Sequence, residues 1–481
     1  MIQRTTMPLA LLGAALLWAG AAGADRGDGQ PGKLVKYDTK YYTIYSDLPI
    51  DGVREAAVRM TCMAQVYHEQ TQDFAGQIRS RFPFYLFQRA EDYRRAGGIP
   101  GSAGVFRYRS ARDQALMAIA GAKTSDRTWH VVQHEGFHQF VANVISLRVP
   151  IWLNEGLAEY FGQGIWTGDD LVVGVIPPGR LKRVKAMIRG ENLLAFEKML
   201  TMDGREWNAQ LAIRNYDQGW SMLHFLVHGE EGKYRKPLVK YINAVARGAD
   251  SYRSWVSIFG SNHEAFRQRY SDYWLNQPAD PSAELRDEAV IQTVGSFFAR
   301  AAVAKVEIDS AETLLEAMAE GRIQVEGARY PELWLPTSLG QRAVKRAREL
   351  GRWELTPATG RRRPLLKLVR PDGAVVEVAY KSNGKRRPDI LIKTLAVDQA
   401  AEAEPAEGES PEKPEKDRPA TAAGEQPEAP ARPADNDADT PTETGDDELP
   451  AADSTDANAA PEEPEESEDD DLADMDRWMK D

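Results

Sequence analysis

The chain has 481 residues, 42% apolar and 28% charged, enough for two to four domains of about 100–200 residues each. Its one cysteine, Cys62, excludes an intramolecular disulfide framework and any cysteine-built metal cluster. The net charge of −13 is unevenly placed, because residues 397–481 carry 30 Asp/Glu against 6 Lys/Arg and leave the rest of the chain at +11.

In chain order, Arg4 precedes an apolar run from Met7 to Gly20 that ends in Ala22-Gly23-Ala24. A basic start, a short apolar stretch and an A-x-A site read as a signal peptide over residues 1–24, so the protein is expected to be exported to the periplasm or beyond the cell. The run is shorter than the roughly 20 residues that cross a bilayer, and no transmembrane span is expected in the mature chain. Lys40–Tyr45 is aromatic and β-branched and predicts a strand. Asp51–Phe74 places Val53, Ala56, Met60, Met63, Ala64 and Tyr67 at helical spacing. Phe82–Phe87 predicts a second strand. Short strands near Val105–Tyr108 and Ala115–Ala120 follow the glycine-rich loop GGIPGSAG. From Ser125 to about Gln277 the periodic segments are helical. Residues 25–280 therefore read as an α+β domain, a small mixed sheet followed by a mainly helical layer.

Beyond Gln277-Pro-Ala-Asp-Pro-Ser, residues 283–396 predict a smaller α+β domain. Asp309 and Glu312 have capping-box spacing at the start of ETLLEAMAEG. Three strands, Leu365–Val369, Ala374–Tyr380 and Asp389–Thr394, are separated by Pro371-Asp372-Gly373 and Asn383-Gly384, which are turn-forming and predict an antiparallel meander. Residues 397–481, rich in Pro, Ala, Glu and Asp, predict a disordered acidic tail. Residues 361–396 hold ten Lys/Arg, Arg361, Arg362, Arg363, Lys385, Arg386 and Arg387 among them, against three acids. Nucleic acid is not expected there, since no aromatic platform accompanies the charge. A solvated face is the simplest account, and an anionic envelope polymer or the acidic tail is the partner that charge favours.

The chemistry lies in His134-Glu135-Gly136-Phe137-His138. Residues i and i+4 share a helix face, so both imidazoles reach one ion, and Glu135 stands beside them as a general base. A hydrolytic zinc takes three protein ligands and keeps a fourth position open. Pro150–Phe161 supplies a second helix with Glu155 and Glu159 one turn apart. His130, His224 and His228 read as packed or surface helix histidines, and Cys62 as a buried apolar residue.

HEGFH followed by WLNEGLAEYF resembles the gluzincin metallopeptidases, the superfamily of thermolysin and aminopeptidase N, and is most similar to the peptidase MA-like group of exported proteins. The resemblance implies one zinc ion on His134, His138 and Glu155, with Glu159 as the carboxylate that orients a zinc-bound histidine. His138 and Glu155 lie closer in sequence than in aminopeptidase N-like enzymes, so Glu159 stays open as the alternative ligand. Asn215–Leu223 resembles the Y-x-K-G segment, with Gln218 in place of the lysine, and implies that Tyr216 stabilises the transition state. No G-x-M-E-N sequence precedes the motif, so exopeptidase action is not implied. The expectation is an exported zinc-dependent metallohydrolase acting on peptide or protein substrates. The alternative is an envelope binding or scaffold protein with a non-catalytic zinc site, which would need neither Glu135 nor Tyr216.

Overall fold

A mixed sheet is built from β1 (Val35–Asp38), β2 (Tyr42–Ser46), β3 (Phe82–Phe87), β4 (Gly104–Ser110) and β5 (Asp113–Ile119). The computed structural model describes residues 33–120, 126–209, 213–325, 333–359, 363–381 and 388–395. The expected signal peptide, the acidic tail, the Asn383-Gly384 turn, and Arg361, Arg362, Lys385, Arg386 and Arg387 lie outside the described residues.

The strand order is β1-β2-β3-β5-β4, with β2–β3 and β3–β5 parallel and the outer pairs antiparallel. On β2 the side chains of Tyr42, Ile44 and Ser46 are buried and their neighbours partly covered, the period of two that a half-buried strand requires. β1 escaped the sequence reading because none of its four residues is fully buried, so no apolar alternation marks it. β4 forms the sheet edge and borders the site. The crossover from β2 to β3 is α1 (Ile50–Gln70), followed after β3 by α2 (Ala90–Arg95). α1 ends at Gln70, short of the expected Phe74, and the Thr71 N–H and hydroxyl both donate to the Tyr67 carbonyl of its last turn, at 3.1 and 2.6 Å.

The helical layer begins with α3 (Asp126–Phe140), which runs into a π-helical turn at Val141–Ile145, and α4 (Ile151–Gly162). Pro150 precedes α4, where its missing N–H leaves no helical hydrogen bond unmade. A two-strand ribbon, β6 (Ile165–Trp166) and β7 (Leu171–Val172), interrupts the helices. It is followed by α5 (Pro178–Arg189), α6 (Phe196–Thr201), α7 (Gly204–Ala209), α8 (Ile213–His228), α9 (Arg235–Ala246), α10 (Ser251–Phe259) and α11 (His263–Leu275). Two-residue strands carry too little periodicity to be read from sequence.

The C-terminal part comprises α12 (Ala283–Ala304), α13 (Ala311–Ala319), α14 (Thr337–Leu350) and four antiparallel strands in sequential order, β8 (Arg352–Thr356), β9 (Leu365–Val369), β10 (Val375–Lys381) and β11 (Asp389–Leu395). The predicted meander is present, extended by β8. The expected capping box is corrected: Ser310 is the N-cap and accepts the Thr313 N–H at 3.1 Å, while Asp309 accepts the Thr313 hydroxyl and Glu312 pairs with Arg348. The molecule is thus mixed α+β. No helix among the described residues is long and apolar enough to cross a membrane.

α4 lies between α3 and α8, and two glycines set its distance from α8. A Cβ on Gly156 would stand 2.7 Å from the Gly219 carbonyl oxygen, and one on Gly219 would stand 3.0 Å from that of Trp152. Backbones meet at this crossing because neither helix has a side chain there. The residues beside these glycines, Glu155 on α4 and Tyr216 one turn earlier on α8, are thereby drawn to one region.

Candidate metal centre

α3 presents His134 and His138 on its inner face, and α4 brings Glu155 to meet them. The two Nε2 atoms are 3.1 Å apart, and Glu155 Oε2 lies 3.4 Å from the one on His134 and 3.3 Å from the one on His138. Among the described residues these three form a buried group able to hold a metal ion. Bonds of about 2.0–2.2 Å at tetrahedral angles would space ligand atoms about 3.3–3.6 Å apart, close to the observed triangle. Both Glu155 oxygens are buried with no hydrogen-bond partner among the described residues, a costly arrangement for an acceptor pair unless a cation satisfies it. Two imidazole nitrogens and a carboxylate oxygen converging at these distances fit a cation of the imidazole-and-carboxylate type.

The electrostatics follow from burial and neighbours. Burial favours the neutral acid at Glu155, but the charges of His138 and His134, whose Nε2 atoms lie 3.3 and 3.4 Å away, prevail and hold its pKa to about 2. Burial likewise opposes charge on His134, and Glu155 with Glu159 raises its pKa well above the usual imidazole value. A cation taking that place would displace the proton, so metal uptake is coupled to pH.

Glu159 occupies the other side of His134. Its Oε1 is 3.4 Å from Nδ1, and its Oε2 accepts from Arg180 Nη1 at 2.7 Å. The structure therefore separates the two acids that sequence left open: Glu155 joins the Nε2 cluster and Glu159 faces the opposite ring nitrogen. The Nδ1 of His138 is buried with no hydrogen-bond partner among the described residues.

Glu135 points toward the sheet. One carboxylate oxygen accepts the Phe106 N–H of edge strand β4 at 2.8 Å, and burial raises its pKa above the ordinary carboxylate value. The charges of His134 and His138 act on it in the opposite direction. Tyr216 is buried, its ring edge-on to Trp207 with centroids 5.4 Å apart. Burial first, and then the charge of Glu155, raises its phenol pKa.

Sequence reading missed Phe106, Arg180, Arg183 and Asp217. Phe106 acts through its backbone N–H, which no side-chain pattern reports. Arg180 and Arg183 sit in a basic helix that looks like a solvated face, and the signal was the acid Asp217 directly after Tyr216. His130 is a packed residue as expected, its Nδ1 2.9 Å from the Gly162 carbonyl oxygen. Together with Arg59, Trp166 and Arg342 it lines a cavity of about 820 Å³, including the solvent at its mouth, that His134, His138 and Glu155 do not line. His224 is buried on α8, its Nε2 3.1 Å from the Gly174 carbonyl oxygen, and the half-buried His228 at the helix end meets the Tyr160 hydroxyl with its Nε2 at 3.0 Å.

Over residues 129–249 the chain is similar to a family described as "Protein of unknown function (DUF1570)". That stretch contains α4, α8 and every residue of the cluster. No curated protein matches the chain.

Proposed function

We propose that the chain is an exported zinc-dependent metallohydrolase, a peptidase of the gluzincin type that cleaves peptide or protein substrates. The carrying observation is the buried triangle of His134, His138 and Glu155 at 3.1–3.4 Å, with a second acid, Glu135, fixed beside it by a backbone N–H. A site that served structure alone would not need that second acid. Zinc held by the triangle would polarise the scissile carbonyl and lower the pKa of an attacking water to about 7.

The chain's residues supply the remaining chemistry. Glu135 is held by Phe106 through one oxygen, so its orientation is set before substrate arrives. It takes a proton from the water as the new C–O bond forms, then delivers a proton to the amine nitrogen as the C–N bond breaks. Burial raises its pKa toward the range in which it both accepts and returns that proton. Tyr216, neutral because burial and Glu155 oppose its ionisation, donates to the developing oxyanion. Glu159 holds the His134 ring through Nδ1 and leaves Nε2 for the ion.

The deciding experiment compares wild type with Glu135→Gln for zinc content and for turnover of a peptide library. The expected result is one zinc per chain in both, and hydrolysis in wild type alone, since the amide accepts no proton. Equal turnover by the two proteins would refute the mechanism.

A further inference from the structure

We propose that Arg180 and Asp217 are positioning residues of the metal centre: Asp217 holds Arg180, Arg180 holds Glu159 against His134, and the affinity for the ion depends on both. The inference rests on the metallohydrolase reading above and names the residues that tune its site from behind.

The contacts form one chain of charges. From His134, the path runs to Glu159 Oε1 at 3.4 Å and from Glu159 Oε2 to Arg180 Nη1 at 2.7 Å. Arg180 Nε then lies 3.2 Å from Asp217 Oδ1, and Asp217 is gripped from its far side by Arg183 through Nε at 2.7 Å and Nη2 at 3.1 Å. Glu159, Arg180 and Asp217 are each less than 10% exposed. The guanidinium of Arg180 also lies 5.2 Å from the centroid of the Trp220 ring. Two acids and two arginines balance, so the network adds no net charge behind the ion.

Its placement gives it a purpose beyond charge balance. Glu159 belongs to α4, the helix of ligand Glu155. Arg180 and Arg183 lie one turn apart on α5, and Asp217 follows Tyr216 on α8. One network therefore fixes the carboxylate that orients His134 and the turn of α8 that bears the phenol. The residue type matters as much as the charge. Arg180 donates from Nη1 to one carboxylate and lays Nε at ion-pair distance from the other, a charge spread over a plane that lysine lacks. Without the guanidinium, Glu159 and Asp217 would be buried acids with no charge between them. Such a pair relieves itself by binding a proton or turning away. In either case His134 loses a fixed acceptor at Nδ1.

The test uses the full-length protein and three variants, Arg180→Met, Glu159→Gln and the double variant, with zinc affinity read by competition against a chromophoric chelator. Each single substitution is expected to weaken zinc binding about 10–100-fold. The double variant should be no weaker than the worse single, because both remove the same link. Arg180→Lys should recover part of the loss, and Asp217→Asn should cost less than Arg180→Met. Melting temperatures taken in parallel identify variants that fail to fold, for which Arg180→Lys and Asp217→Asn carry the comparison. Independently of any ion, NMR of the metal-free protein should show a slowly exchanging, downfield Nδ1 proton on His134 in wild type that is lost in Arg180→Met. Additive zinc losses, or an unchanged affinity with an unchanged His134 proton, would overturn the proposal. A wild type that binds no zinc would instead defeat the hydrolase reading, and the His134 proton would still decide this one.

Discussion

Among the described residues neither Glu155 oxygen has a hydrogen-bond partner, yet against its burial the charges of the two imidazoles around it hold its pKa at about 2. Glu159 has Arg180 as its own partner and a different edge of His134 to face. The two acids, one turn apart, should therefore respond differently to removal. His134→Ala and Glu155→Ala are expected to lose the metal, while Glu159→Ala keeps it about 10–100-fold more weakly. Elemental analysis with chelator competition reads the difference, and the reverse pattern would exchange the two roles. At this scale His134 and His138 were legible because a shared ion requires particular residue types at helical spacing, whereas Glu155 was reached through the resemblance of WLNEGLAEYF, which left Glu159 open beside it. Phe106 was not, since any residue but proline supplies its N–H. Arg180 and Asp217 were not legible either, because a charge that pairs in the interior looks the same in sequence as one that meets water.

The helices α3, α4 and α8 could be read from their periodicity, but the depth of their contact could not. That depth rests on Gly156, where an added Cβ would stand 2.7 Å from the Gly219 oxygen, whereas at Gly136 the nearest atom would be Met63 Cε at an ordinary 3.7 Å. Gly156→Ala should force α4 from α8 at a cost of about 1–3 kcal/mol and weaken metal binding. Gly136→Ala should be neutral or gain up to about 1 kcal/mol from helix propensity. Calorimetry and zinc titration of the pair test this, and equal behaviour would discount the crossing. α8 adds a pH dependence of its own. Burial, then the charge of His228, lowers the pKa of His224 to about 3, and burial followed by Arg235 lowers that of His228 to about 4. Both folded values lie below the ordinary 6.5, so the unfolded chain binds protons that the folded chain refuses. The stability from keeping these rings neutral is complete above about pH 6.5 and is lost as pH falls toward the folded values, by up to about 1.4 kcal/mol per pH unit for each histidine. Urea titrations between pH 7 and pH 4.5 on metal-free protein should show a shallower slope for His224→Phe than for its parent. An unchanged slope would show that this histidine is not refusing a proton.

Across the whole molecule, the Gln277-Pro-Ala-Asp-Pro-Ser stretch reads in sequence as a break, but its ends are stitched to the helical layer. Lys185 Nζ donates to the Gln277 carbonyl at 2.6 Å, and Ser282 Oγ accepts the Ile176 N–H at 2.8 Å. One hydrophobic core runs from Tyr42 in the first sheet through α8 to Val378 in the last. Chain order could not disclose this, since the contacts join residues 92 to 131 positions apart. The firmest of them is a buried ion pair. Arg300 of α12 donates to Asp169, in the β6–β7 turn, from Nη1 at 2.6 Å and from Nη2 at 2.8 Å. The same guanidinium donates to the carbonyls of Leu333 and Ser296 at 2.8 and 2.9 Å. Removing the cation alone leaves the Asp169 carboxylate desolvated and unopposed, which costs about 3–5 kcal/mol in comparable buried pairs. Removing both charges avoids that penalty but still leaves the two carbonyls short of a donor. Arg300→Met should therefore melt well below wild type, and Arg300→Met with Asp169→Asn should regain part of the loss and stop short of full recovery. Because α12 is packed into both parts, wild type should unfold in a single calorimetric transition. Two transitions, or a double variant as unstable as the summed singles, would show that this pair does not couple the C-terminal strands to the layer that carries the candidate metal centre.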